Sequence, residues 1–194
     1  MALDHLVYAT PDLTLDLGIE LTEGGQHLGL GTRNKLADLG GGAYLEVLGP
    51  DPDQPKPEKP RPFGFDELTE PKLITWAVRP DNLDETVARA KAKGYDLGPI
   101  TEMARERPDG VLLRWRLTPL VDAGVPFLID WGASPHPTES LPPGTELVSF
   151  TITHPNPAEI REKLAILGEE ATVEQGEAGF VAVLRTPNGE VVLR

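Results

Sequence analysis

The sequence predicts an α+β protein built from a repeated strand–helix–strands unit, and three observations carry that expectation. A short apolar segment followed by Pro and then Asp or Asn recurs at Leu3–Asp12, Leu73–Asn82 and Leu147–Asn156. After two of these copies, apolar residues recur at the three- and four-residue spacing of a helix and stop at a glycine. Short runs rich in Val, Leu and Ile, bounded by Gly or Pro, then read as strands. Copies of such different lengths would stack poorly as a solenoid, so the repeat is a duplicated supersecondary unit.

In the first unit, Asp12 to Gly24 leaves room for a turn or two of helix, interrupted by Gly18. That unit closes on the apolar run Ala43–Gly49. The second unit predicts a helix over Asn82–Lys93, with Leu83, Val87 and Ala90 on one stripe and Gly94 as the stop. Asn82 and Glu85 have the spacing of a capping box. Strands follow at Val111–Thr118 and Pro126–Trp131. In the third unit Asn156 caps, Pro157 takes the first helical position, and Ile160, Leu164 and Leu167 form the stripe before Gly168. Its strands are Phe180–Leu184 and Glu190–Leu193, joined by the turn Pro187-Asn188-Gly189. Pro50–Pro62 carries six prolines and reads as an extended connector, and Ser134–Gly144 carries four and bridges the second and third units.

With 194 residues, the chain is long enough for one full domain or two small ones. The expected division is 1–133, made of units 1–50 and 72–133, and a third unit over 145–194. Lys and Arg number 18 against 31 Asp and Glu, a formal charge of −13. That field repels phosphate backbones and anionic lipid, so no nucleic acid and no membrane is expected as partner. The start has no basic region followed by a long apolar stretch, so no secretory signal is expected, and the absence of cysteine agrees with a cytoplasmic location. No nucleophile elbow, Walker loop or dinucleotide fingerprint occurs, so no nucleotide cofactor is expected, and Gly40-Gly41-Gly42 reads as a tight turn.

Several stretches together resemble the glyoxalase-like branch of the vicinal oxygen chelate (glyoxalase/bleomycin resistance/dioxygenase) superfamily. They are Leu3-Asp4-His5-Leu6-Val7, Gly31-Thr32-Arg33-Asn34, Gly41-Gly42-Ala43-Tyr44-Leu45-Glu46 and Leu113-Arg114-Trp115-Arg116-Leu117-Thr118. Pro126-Phe127-Leu128-Ile129-Asp130-Trp131-Gly132 and Ser134-Pro135-His136-Pro137 add to the resemblance. It implies paired βαβββ modules whose curved mixed sheet forms a cup over 1–133, with the third, βαβββ-like module added at the C-terminus. Enzymes of the superfamily typically hold a divalent metal in the cup, one His or Glu coming from the first and the last strand of each module.

His5 sits in mid-strand, with Leu3 and Val7 on its face by the period of two, and Glu46 shares a face with Tyr44 and Leu48. Imidazole and carboxylate suit Zn, Mn, Ni or Fe. The alternative is a buried His–Glu hydrogen bond that ties two strands together. The second module departs from the metal pattern. Trp76 takes the slot of His5, and the closing strand offers Ile129 or Asp130 according to register. His27, in a Gly-rich stretch, can approach from a loop as a third ligand. Arg33 and Asn34 are donors for a carboxylate or carbonyl, or else Arg33 pairs with an acid. Arg114 and Arg116 share one strand face, opposite Leu113, Trp115 and Leu117, and read as an anion site or as an ion-pair face. Trp76 would make the cup apolar if it faced inward, and His136, flanked by prolines, would close over it.

Two functions follow as expectations. One is lyase- or isomerase-type chemistry on a small carbonyl- or carboxylate-bearing metabolite. In it His5 and Glu46 are catalytic, with a metal on His5, Glu46 and His27. Arg33, Asn34, Trp76, Arg114, Arg116, Asp130 and His136 bind substrate. Glu46 serves as general base if no metal binds. The other is a metal-free protein that binds or sequesters a small molecule. A homodimer is expected from the odd third module, which would pair with its twin.

Overall fold

The computed structural model describes residues 1–107 and 109–194. The first unit contributes β1 (Ala2–Ala9), β2 (Thr22–His27), β3 (Thr32–Asp38) and β4 (Tyr44–Pro50). The second contributes β5 (Lys72–Arg79), α1 (Leu83–Ala92), β6 (Thr101–Glu106), β7 (Leu112–Leu117) and β8 (Phe127–Asp130). The third contributes β9 (Glu146–His154), α2 (Pro157–Leu167), β10 (Thr172–Gln175), β11 (Gly179–Thr186) and β12 (Gly189–Leu193). Two short 3-10 segments occur, at Pro62–Glu67 and Pro137–Ser140.

Strands β1 to β8 form one sheet in the order β2-β3-β4-β1-β5-β8-β7-β6. Within each of the first two units the first strand runs parallel to the last, and the antiparallel pair β1–β5 joins the units. The edge strands β2 and β6 approach each other, so the sheet curls almost to closure. This is the expected cup.

The helices obey their signals to different degrees. Asn82 caps α1 as expected, its side-chain oxygen accepting from the Glu85 backbone N–H at 3.1 Å. At α2 the expected cap is absent. The Asn156 amide donates instead to Glu159 Oε2 at 3.2 Å, and the Asn156 backbone N–H donates to His154 Nδ1 at 3.1 Å. Pro157 still opens α2, and Gly168 closes it in the left-handed region at φ 82°. The first unit has no helix between β1 and β2. That loop lays Leu13, Leu15, Leu17, Ile19 and Leu21 on the sheet instead. Gly49 permits this contact, because a Cβ there would stand 2.2 Å from Leu13 Cγ.

Two cores lie on the two faces of the curved sheet. The convex face buries Leu6, Leu45, Trp76, Val78 and Leu128 against Leu83 and Ala90 of α1, and against Ile152, Ile160, Leu164 and Leu184 of the third unit. Each such side chain contributes about 1.5–3 kcal/mol on burial. The third unit is βαβββ in chain order, but its strands pair as β10-β9-β11-β12. Its first strand lies inside the sheet, beside the second and third, so it does not repeat the cup. It docks on the convex face, where the Leu147 backbone N–H donates to Leu39 O at 3.0 Å and that of Leu73 to Arg194 O at 2.7 Å. The odd module thus finds cover on the convex face of its own chain.

The concave face buries Val7, Leu36, Tyr44, Leu48, Leu113, Trp115, Phe127, Ile129 and Trp131. The Pro-rich connector runs without helix or strand from the end of β4 into the 3-10 segment Pro62–Glu67, which drops Phe65 into this core. Phe63 adopts φ 62°, rare for a bulky residue, and stacks on Phe127 with ring centroids 5.9 Å apart.

Candidate functional site

The polar cluster of the concave face is built mainly by the first unit. On β4, Glu46 stands opposite Val7 of β1 and Leu36 of β3, so all three share one face, and His5 lies diagonally beside it, opposite Tyr44. His5 Nε2 is 3.7 Å from Glu46 Oε2, and His27 Nε2 is 3.6 Å from Glu46 Oε1. Both separations are too long for hydrogen bonds. The Asn34 amide closes the group, donating to Glu46 Oε1 at 2.6 Å and lying 3.3 Å from His27 Nε2. This needs a glycine beneath it, because a Cβ on Gly24 would fall 2.0 Å from Asn34 Oδ1.

Asp4 was not singled out in the sequence, yet it organises one side of this cluster. The β1–β5 register slips between Leu3 and His5, leaving Asp4 as an extra residue on β1. The bulge sends Leu3 to the convex core, not to the face of His5, and turns the fully buried Asp4 carboxylate inward. Oδ1 lies 2.6 Å from His5 Nδ1. Oδ2 meets His136 Nε2, and it accepts from Trp131 Nε1 and Arg79 Nη1, each at 3.1 Å. Burial alone would raise the Asp4 pKa, but the hydrogen bonds to His136 and His5 outweigh it and hold the carboxyl well below its ordinary range. Asp4 is therefore ionised, and its carboxylate accepts from His5 Nδ1. Two adjacent polar residues in an otherwise apolar strand break the period of two, and that was the readable signal of the bulge.

Burial lowers the His27 pKa against the opposing charge of Glu46, so this imidazole is neutral. Its Nδ1 lies 3.1 Å from Thr32 Oγ1, and the network assigns the proton there. Burial, helped by the charges of Asp4 and Glu46, raises the Tyr44 phenol well above its ordinary value. Tyr44 stacks on His5 with centroids 4.7 Å apart.

Of the expected site residues, His5, His27, Asn34 and Glu46 come together on the concave face. His136 caps the 3-10 segment Pro137–Ser140 and meets the rings of Tyr44 and Trp131 edge-on, each at 5.7 Å, which puts it at the rim of the cup. The others lie elsewhere. Trp76 faces the convex core, where Nε1 donates to Gly124 O at 3.2 Å; the inward residues of β5 are Thr75 and Ala77, paired with Val7 and His5. Arg33 points outward to Glu23 and Asp53. Arg116 also lies outside, binding Asp130 at 2.6 Å and Asp84 at 3.0 Å, so the register makes Ile129 the inward residue. Arg114 is exposed, and its backbone N–H donates to Ser134 Oγ at 2.8 Å.

Arg105, on β6 opposite Leu113, is the second residue that the sequence reading missed. It faces inward with 3% of its surface exposed, and among the described residues its Nη1 has no hydrogen-bond partner. Asn34 Oδ1 and Thr75 Oγ1 are likewise buried without partners. Orphaned polar atoms are few in native proteins, and these three all belong to the cup-lining strands.

A curved, nearly closed sheet of eight strands built from two units is the cup that the sequence resemblance implied. The model of the glyoxalase-like domain family matches residues 3–168. The chain belongs to that family. A hypothetical protein from Staphylococcus aureus is similar in structure, with a TM-score of 0.71 at 16% identity over 98% of this chain and 84% of that one. A mutant of 4-hydroxymandelate synthase from Streptomyces coelicolor matches with a TM-score of 0.47 at 14% identity over 98% of this chain and 62% of the other. No curated protein matches at the sequence level.

The divalent metal typical of the superfamily does not fit this glyoxalase-like cup. Among the described residues no three His, Asp or Glu side chains are grouped to hold an ion. Asn34 directs a hydrogen-bond donor onto Glu46 Oε1, between that oxygen and His27, where a cation would need a lone pair. The second unit offers Ala77 and Ile129 on its inner face. Among the described residues no helix is long and apolar enough to cross a membrane.

Proposed function

We propose that this protein takes a small carbonyl compound into its cup and moves a proton on it, an isomerase- or lyase-type reaction with Glu46 as general base. The observation that carries the reading is the carboxylate of Glu46, only partly buried among apolar walls, with two imidazoles facing its two oxygens. A base at such a position removes a proton next to a carbonyl, and the apolar walls keep water from competing. Asp4 Oδ1, 2.6 Å from His5 Nδ1, orients the ring so that Nε2 faces Glu46 Oε2 and can exchange a proton with it. At 3.7 Å that passage requires Glu46 to swing toward the ring. Asn34 fixes the other oxygen, and Tyr44 stays protonated as a neutral donor beside His5.

The second reading, a protein that binds a small molecule without transforming it, is favoured by the inner face of the second unit. There Ala77, Leu113, Trp115, Phe127 and Ile129 present apolar surface, broken among the described residues by Thr75 and Arg105. One experiment separates the two. A panel of small ketones, aldehydes and oxo acids is incubated with the protein in D2O, and loss of the proton signal next to the carbonyl is followed by NMR. Exchange that falls by about 10²–10⁴-fold in Glu46→Gln and survives chelator supports the proposal. Exchange that persists in Glu46→Gln, or disappears with chelator, overturns it. Binding without exchange replaces it with the second reading.

A further inference from the structure

We infer that Arg105 forms an anion subsite at the mouth of the cup, and that it selects a small organic carboxylate as the ligand. The inference rests on the cup being the binding site, as proposed above, and it adds the chemical class of what enters. A guanidinium buried without a partner is costly, because a charge taken out of water must be repaid by hydrogen bonds. Arg105 is 97% buried by its 3% exposure, and its Nη1 has no partner among the described residues.

The surroundings make that cost a vacancy for an anion. Arg105 lines a cavity of about 280 Å³ with Gly24, Leu36, Leu113, Pro137 and Leu141. Leu36 is the direct cross-strand neighbour of Glu46, and Gly24 lies under the Asn34 amide that binds Glu46. The cavity is thus one strand from the carboxylate base. Its other charges are satisfied within the protein. Arg107 pairs with Asp109 at 2.7 Å, and Glu23 pairs with Arg33 at 3.3 Å and Lys35 at 3.5 Å. Among the described residues Arg105 makes no ion pair. Its fork suits a carboxylate, and Leu36, Leu113 and Leu141 suit a short apolar body next to it. A ligand held this way directs its carbonyl end toward Glu46.

The test is ligand-induced stabilisation of the full chain. Acetate, butyrate, benzoate and phenylacetate are compared with their primary amides and with inorganic phosphate, by thermal unfolding over a concentration series. Carboxylates are expected to bind about 10- to 100-fold more tightly than the matching amides. Arg105→Met is expected to erase that preference while raising the unliganded melting temperature, because it removes an unpaired buried charge of similar shape. Arg105→Lys keeps part of the preference. Glu46→Gln removes an acid whose charge acts on Arg105, so it strengthens the carboxylate preference while abolishing proton exchange, and the two losses are read separately. The inference falls if amides bind as well as carboxylates, if Arg105→Met retains the preference, or if phosphate binds more tightly than every carboxylate.

Discussion

The inner faces of the first two units differ although their strands are wired alike. In the first, β1, β3 and β4 bring Asp4, His5, Asn34 and Glu46 to the cup. In the second, β5, β7 and β8 bring Ala77, Leu113, Trp115, Phe127 and Ile129, and only β6 adds a charge, Arg105. The two units share a hydrogen-bonding frame, whereas the polar cluster is built mainly by the first. The frame depends on backbone pairing and on alternation of apolar side chains, which many residues satisfy. The polar cluster depends on a bulge, a bare glycine and a buried carboxylate; the second unit has a bulge of its own, at Ile74 of β5, but among the described residues no buried carboxylate.

Substitutions in the polar half test the contrast most severely. Asp4→Ala leaves two His, Trp131 and Arg79 without their shared acceptor, and it is expected to lower the unfolding free energy by about 3–5 kcal/mol in urea titrations at pH 7. The folded-state pKa of Asp4 is depressed, so its contribution is complete above the ordinary carboxylate value of about 3.9 and fades as pH falls toward the folded value. Asp4→Asn should flatten that acid limb. Gly24→Ala drives a Cβ into Asn34, and its chief effect is to move the amide off Glu46. It is expected to slow proton exchange about 100-fold, with a stability loss of about 1–3 kcal/mol.

His27 gives a milder, pH-dependent effect. Burial depresses its folded pKa, so stability is fully present above the unfolded value of about 6.5 and is lost as pH falls through the lower folded value. His27→Gln should remove that slope, at most about 1.4 kcal/mol per pH unit, in unfolding measured from pH 7.5 to 5. Outside the polar half the effects shrink and leave ligand binding alone. Trp76→Phe loses the bond to Gly124 O and should cost about 0.5–1.5 kcal/mol with carboxylate binding unchanged. Arg114→Ala, on the exposed face, should stay within about 0.5 kcal/mol and also leave binding unchanged.

Much of the frame was legible in the residues. Asn82 with Glu85, and Pro157 with Gly168, mark the helix ends because caps and stops act within a few residues of the chain. His5 and Glu46 were legible for the same local reason, as polar groups in apolar strands. Trp76 was misread because an isolated strand does not say which of its two faces meets the cup.

By itself, then, the sequence determined the α+β class and the repeated unit, which follow from spacing along the backbone, while the family resemblance brought His5 and Glu46 together. Only the tertiary structure decided that Asp4 turns inward, that Arg33, Arg114, Arg116 and Asp130 turn outward, and that Arg105 is buried without a partner. Those outcomes depend on cross-strand register and on the closing approach of β2 to β6, contacts between residues far apart in the chain. Local propensity carries no information about which distant strand will lie alongside, and a one-residue change in that register reverses every side chain on the strand.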